Sequence, residues 1–320
     1  MKYTFFAMGA LVGMMTSCDS VEIREIRTMP YRDGKEAAIS FTYDDGMLCH
    51  YTDIAPELEK RGFKATFWII GDNMGKDEPT YPWMNWEQVA DLSRRGHEIS
   101  NHSWHHPNLT ELSEDSLRWE IQYNDSVIES VTGIRPKTFC YPYNAMNDLV
   151  VRICSEGRVG TRTFQADHGQ IESHQTADSL TQWLNDLLAH RAWGVTMTHG
   201  TTYGWDYWTE PEILYRFYDE VKAAEDRVWV GTFAEVSAYI EEQQHLSYMY
   251  LKSHRQLVIT PHLQDLDPEL YCEPVTFCIV GTFGNRTVTA QQSGSDLTTT
   301  LSGDTLLVNA KPTDEIVIKW

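Results

Sequence analysis

The chain has 320 residues, 42% of them apolar, which is enough to bury a sizeable core and too apolar for a disordered chain. Its formal charge of −20 lacks the basic footprint that nucleic acid demands, and it argues against polybasic attachment to a membrane. The 11 Trp and 16 Tyr are a large supply of flat rings, most of which a core would be expected to use.

At the N-terminus Lys2 precedes an apolar run, Phe5 to Met15, that is too short to span a bilayer. Thr16-Ser17-Cys18 follows, and small residues before a Cys resemble a bacterial lipobox, with Met15 where Leu is usual. The expectation is a lipoprotein signal peptide over 1–17, a lipid anchor on Cys18 as the sole membrane attachment, and a polar tether over 18–35. A plain signal peptide is the alternative. Either way the protein is expected in the cell envelope, anchored at the periplasmic face or cell surface, or secreted. Five further cysteines remain: Cys49, Cys140, Cys154, Cys272 and Cys278. Their odd number leaves a free thiol, Cys272 and Cys278 are near enough to pair, and no spacing resembles a zinc-binding pair.

From residue 37 onward, short apolar runs alternate with amphipathic segments. The runs are 37–43, 65–70, 97–100, 137–141, 158–164, 193–198 and 227–230, rich in Ile, Val, Phe and Thr as buried parallel strands are. Helical patterns occupy 51–61, 86–95, 114–131, 145–156, 177–190, 210–225 and 233–243. Thr232 and Glu235 form a capping box for the last of them. Seven strand–helix repeats predict a βα barrel or a doubly wound sheet over 36–245. After about 245 the helices cease, and runs at 257–260, 275–280, 287–289, 305–308 and 315–318 between turn residues predict a small β-sandwich over 246–320.

Three polar clusters fall at predicted strand ends, the edge where α/β folds build their sites. Thr42-Tyr43-Asp44-Asp45-Gly46 offers two adjacent carboxylates, one able to hold a metal and one free to act as a base. His102-Ser103-Trp104-His105-His106 offers two imidazoles four residues apart, and His199 follows the run ending at Thr198. Singly, these are a polar turn, surface histidines and a structural histidine. Together, one Asp and two His make a facial set with coordination positions left open.

These clusters resemble the polysaccharide deacetylase family, carbohydrate esterase family 4, over roughly residues 37–240. Thr42 to Gly46 is similar to its first motif, and Asn101 to Pro107 to its second. Phe139-Cys140-Tyr141-Pro142-Tyr143 is similar to the third, and Met197-Thr198-His199 to the last. The resemblance implies a distorted (β/α)7-type barrel. It implies a divalent metal, usually zinc, on Asp45, His102 and His106, with Asp44 as general base. It also implies an oxyanion contact from the Tyr143 backbone N–H, and His199 as the acid that protonates the leaving atom. The implied reaction is metal-dependent removal of N-acetyl groups from an acetylated glycan. The alternatives are O-acetyl esterase chemistry on the same site and, in another class, a non-catalytic sugar-binding protein.

Two departures stand out. Cys140 occupies the place where the third motif commonly has an Arg that orients the base, and the fourth motif, whose Asp tunes the catalytic His, is not recognisable. Arg162 is the best substitute for the first: it either points into the barrel mouth toward Asp44 or caps its strand on the surface. Asp167 is the leading partner for His199, with Asp178 and Asp186 as rivals. Trp83, Trp86, Trp104, Tyr203, Trp205 and Trp208 lie in loops at the same edge, and two or three of them are expected to touch a sugar.

Overall fold

The computed structural model describes residues 20–320; the signal peptide expected over 1–17 and the lipid anchor expected on Cys18 lie outside them. β1 (Ile23–Thr28) comes first. Then follow β2 (Ala37–Ser40), β3 (Thr42–Tyr43), β4 (Thr66–Ile69), β5 (Glu98–Asn101), β6 (Thr138–Cys140), β7 (Gly160–Arg162), β8 (Ala166–Asp167), β9 (Trp193–Met197) and β10 (Val228–Val230). Between them run α1 (Ala55–Glu59), α2 (Trp86–Arg94), α3 (Glu114–Thr132), α4 (Asp148–Cys154), α5 (Ala177–His190), α6 (Pro211–Ala223) and α7 (Phe233–His245).

Strands β2 to β10 pair in parallel as a distorted barrel. The first run of the sequence, read as one strand, breaks at Phe41. Below the break β2 lies between β10 and β9; above it β3 pairs with β4 and bridges to Thr198. β7 pairs only with β6 and β8 only with β9, so among the described residues the ring stays open between β7 and β8. The helices start and stop for local reasons. Thr232 Oγ1 accepts the Glu235 N–H at 3.2 Å and Glu235 Oε2 accepts the Thr232 N–H at 2.8 Å, the capping box expected for α7. Gly133, with φ 74°, ends α3 in the left-handed conformation that a Cβ disfavours. The first helical segment opens with a π-turn over His50–Ile54 before α1.

The C-terminal strands are β11 (Leu246–Lys252), β12 (Gln256–Leu263), β13 (Val275–Gly281), β14 (Thr289–Gln292), β15 (Ser295–Leu297), β16 (Thr299–Ser302), β17 (Thr305–Ala310) and β18 (Ile316–Lys319). They form two antiparallel sheets, ordered β1-β13-β17-β16 and β11-β12-β18-β14-β15. Leu257, Ile259, Phe277, Ile279, Leu306, Val308, Ile316 and Ile318 fill the space between them. The stretch 18–35, expected as a tether, therefore supplies a strand: β1 pairs with β13, Ile26 opposite Ile279. An irregularity between Ile23 and Glu25 lets both Ile23 and Ile26 pack on this core although they are an odd number of residues apart. The five described cysteines are all free, Cys272 and Cys278 included.

The sandwich docks on α7. Tyr239 donates from its hydroxyl to the Met29 carbonyl at 2.9 Å, and Arg32 lies over Trp229 at 4.6 Å while bonding Glu273 at 2.6 Å. In the same contact Glu242 is fully buried: Oε1 accepts the Glu273 N–H at 2.8 Å and Oε2 has no partner. Burial pushes its carboxyl up to about 8, against the pull of that N–H, with the Glu273 carboxylate adding to the rise. A carboxyl raised above its unfolded value contributes stability at low pH that disappears as pH climbs through the folded value. The thermal unfolding midpoint should thus drop as pH is raised from neutral through about 8. Glu242→Gln, uncharged at every pH, should flatten that segment of the curve; an equal drop in the variant would assign the effect elsewhere.

Candidate active site

Asp44 and Asp45 follow β3, His102 to His106 follow β5, Tyr143 follows β6 and His199 follows β9, so each loop leaves the same edge of the barrel. They meet in a cavity of about 450 Å³ lined by Asp44, Asp45, His102, His106, Tyr143 and His199 among others. The backbone is strained where the side chains converge: φ is positive at Asp45 (81°), Ser103 (65°), His106 (58°) and Tyr143 (58°), none of them glycine.

Three donor atoms face one point. His102 Nε2 lies 3.2 Å from His106 Nε2, and Asp45 Oδ1 lies 3.5 and 3.8 Å from them. Those are the separations of ligands that each sit about 2.0–2.2 Å from one shared ion. His102 Nδ1 faces the Cys140 carbonyl at 2.9 Å, which holds the proton on that nitrogen and leaves the Nε2 lone pair free. Asp45 Oδ1 is buried without any hydrogen-bond partner, a cost that a cation would relieve. The residues fit a divalent metal. Burial together with His102 lowers the proton affinity of His106 to about 4, so its imidazole is neutral at physiological pH, as a ligand must be.

Asp44 stands beside this set, 3% exposed. Arg162 reaches it from β7 and forks onto the carboxylate, Nη1 to Oδ1 at 2.7 Å and Nη2 to Oδ2 at 2.5 Å. Of the two orientations open to Arg162, the fold takes the inward one. The same guanidinium donates to Thr42 Oγ1 at 2.9 Å and lies 5.8 Å from the centre of the Trp68 ring. Burial alone would raise the Asp44 carboxyl, but the Arg162 charge and hydrogen bonds hold it below the usual carboxylate range. Cys140 fills the space left over, its thiol 3.7 Å from Asp44 Oδ2.

His199 faces the cavity from the other side, its ring 4.9 Å from Trp205. Its carbonyl accepts from His50 Nε2, a buried imidazole in the π-turn before α1. Asp167 ends β8 opposite Met197, two residues before His199, but it makes no side-chain hydrogen bond to it; Asp178 and Asp186 lie on α5. Of the six loop aromatics, only Trp205 lines the cavity. Trp208 is fully buried and donates to the His168 carbonyl at 3.0 Å, Trp83 and Trp86 pack against the barrel core, and the Tyr203 hydroxyl serves Cys49 N–H and the Pro82 carbonyl. These loops fold back on the barrel because indole and phenol groups can satisfy backbone atoms that a loop leaves open.

Sequence reasoning did not single out α3, which braces the histidine loop from behind. Glu120 accepts the Trp104 and His105 N–H groups at 3.0 and 2.8 Å and faces His105 Nδ1 at 2.7 Å, turning His105 away from the metal set. Asn124 Nδ2 reaches the Ile69 and Ser103 carbonyls at 2.8 and 2.9 Å. Asp125 joins Asn101, 2.6 Å away, to Arg158, which forks onto it at 2.7 and 2.8 Å. The available signal was spacing: Glu120, Asn124 and Asp125 share the buried face of α3 with Leu117, Ile121 and Ile128.

Comparison with known proteins agrees with this geometry. The polysaccharide deacetylase family matches residues 31–159. A peptidoglycan-N-acetylglucosamine deacetylase of Bacillus cereus is 32% identical over 171 residues, 53% of this chain and 58% of that protein. A chitin deacetylase of Amylomyces rouxii is 28% identical over 141 residues, 44% of this chain and 32% of that protein. The chain thus spans about a third to somewhat over half the length of these curated relatives. A solved structure of a candidate polysaccharide deacetylase from Mycobacterium smegmatis superposes with TM-score 0.53 at 20% identity, covering 70% of this chain and 96% of that one, and so shares the fold. The segment matched by the polysaccharide deacetylase family carries both aspartates, both facing histidines and Tyr143.

Proposed function

We propose that this protein is a metal-dependent hydrolase that removes N-acetyl groups from a glycan. The observation that carries the reading is the convergence of Asp45 Oδ1, His102 Nε2 and His106 Nε2 beside a carboxylate, Asp44, held ionised by Arg162. The relatives' printed activities, on chitin and on peptidoglycan N-acetylglucosamine, supply the substrate class. Two imidazole nitrogens and one carboxylate suit zinc. Held there, the ion supplies Lewis acidity toward the acetyl carbonyl and acidifies water. Asp44 takes the proton from the attacking water, because Arg162 keeps it charged and fixes its plane. The Tyr143 N–H, in its strained turn, faces the oxygen on which charge develops. His199 donates a proton to the leaving nitrogen, which departs too slowly as an anion. Trp205, 49% exposed beside His199, packs on the sugar ring. The N-terminal export signal and Cys18 add an envelope location to this proposal.

A screen of acetate release from N-acetylated and O-acetylated glycans, with and without a chelator, tests the reading. Release from N-acetylglucosamine oligomers that the chelator abolishes is expected; release from acetylated xylan alone would replace the amide by the ester. His106→Ala should lower metal content and turnover together, with added zinc restoring only part, whereas His105→Ala should leave metal content unchanged.

Arg162→Met should cut kcat about ten- to a hundredfold, the equivalent of a charge-assisted contact of ~1.5–3 kcal/mol. Metal content should stay intact. Without the guanidinium the Asp44 carboxyl rises, so the base is protonated up to a higher pH and the acidic limb of the pH–rate profile moves upward. An unchanged limb would remove Arg162 from the reaction. Trp205→Ala should raise KM for an oligosaccharide and leave hydrolysis of a small aryl acetate unchanged; equal losses on both would mean structural damage. Radiolabelled palmitate should be incorporated into the wild type and not into Cys18→Ala.

A further inference from the structure

Trp119 and Tyr123 stand one helical turn apart on α3, their rings 9° from parallel with centroids 4.9 Å apart. His105 lies 18° from parallel to Trp119 at 5.6 Å, and Trp104 meets Tyr123 edge-on at 4.6 Å. Trp119 remains 47% exposed and Tyr123 43%. A helical i,i+4 pair alone stabilises only slightly, and single exposed rings are ordinary. What sets this group apart is its bracing and its place. Glu120 fixes both the His105 ring and the backbone on which it sits. The Trp104 ring closes on Gly71 so tightly that a Cβ there would come within 2.3 Å. His105 precedes His106, whose ring meets Tyr143 at 4.6 Å, and Tyr143 is 69% exposed at the cavity. Two groups of rings thus flank one loop: Tyr143 and His106 at the cavity, and Trp119, Tyr123 and His105 outside it, joined through the consecutive residues His105 and His106.

We propose that the group outside the cavity is an outer binding surface for the same glycan chain whose acetylated unit enters the cavity, an inference that rests on the deacetylase reading. Pyranose rings present flat C–H faces that pack on aromatic side chains while their hydroxyl rims stay in water. Rings held rigid beforehand lose little entropy on binding, which is the use of the Glu120 and Gly71 bracing. The net charge of −20 favours an uncharged polymer over a polyanion on this surface.

The test compares wild type with Trp119→Ala and Tyr123→Ala on N-acetylglucosamine oligomers from the disaccharide to the hexasaccharide. Each variant should raise KM for the hexasaccharide about three- to tenfold, as loss of one stacking contact does, with kcat, metal content and disaccharide KM unchanged. Calorimetric binding of the hexasaccharide gives a second readout that needs no turnover. If wild type binds the oligomer more tightly than Trp119→Ala yet releases no acetate, the surface stands and the deacetylase reading fails. If both proteins bind and turn over long and short oligomers alike, the surface is excluded while the deacetylase reading survives. A KM rise of the same size at every length would also exclude it.

Discussion

The buried pair between Arg162 and Asp44 is the interaction on which the site depends. It ties β7 to the loop after β3 across the barrel mouth, between strands that are not neighbours in the sheet. Two charges out of water are expensive, and breaking such a pair by removing one partner typically costs ~3–5 kcal/mol. Here much of the cost is offset: both terminal guanidinium nitrogens fork onto the carboxylate, Thr42 Oγ1 accepts a further bond and the Trp68 ring lies nearby, while Nε stays buried without a partner. Thr42 is itself committed to the Thr196 carbonyl, so the network reaches β9 as well. Asp44 and the strand that leads to His199 are thereby positioned by one set of bonds.

A similar economy governs the histidine loop. Ser103 and His106 sit on backbone in the left-handed region, at a cost of order 1–3 kcal/mol for each such residue. That conformation persists because α3 takes up the loop's N–H and carbonyl groups with Glu120 and Asn124, and because Arg158 satisfies Asp125 behind them. Rigidity of the histidine loop is thus drawn from polar groups placed on the inward face of an otherwise amphipathic helix.

The parts of this arrangement legible in the sequence are those with a local signature. Buried strands read as apolar runs, the α7 cap reads from Thr232 and Glu235, and the two Asp and two His read from motif spacing. The parts that were not legible depend on what meets in space. Whether Arg162 points inward follows from where β7 ends against β3, which no alternation count over three residues can supply. Trp208 reads as a loop aromatic and is instead wholly enclosed, because its indole N–H closes a backbone carbonyl in the next loop. β1 reads as a charged tether because Glu22, Arg24, Glu25 and Arg27 outnumber its two Ile, and because its bulge erases the period of two.

That first strand has a consequence for how the molecule is assembled. β1 is hydrogen-bonded to β13 at the far end of the chain, and the whole barrel lies between them in sequence, so the sandwich is closed around an inserted domain. The barrel can complete its own pairings while the chain emerges, since its neighbouring strands are mostly consecutive. The sandwich cannot: one sheet lacks its edge until the last quarter of the polypeptide has appeared, and contacts of such sequence separation form slowly. A fragment that begins after β1 would leave β13 with an open edge, and apolar residues such as Ile279 would lose part of their cover. The excised C-terminal region is therefore not an autonomous module, and β1 and β13 are committed to one another last.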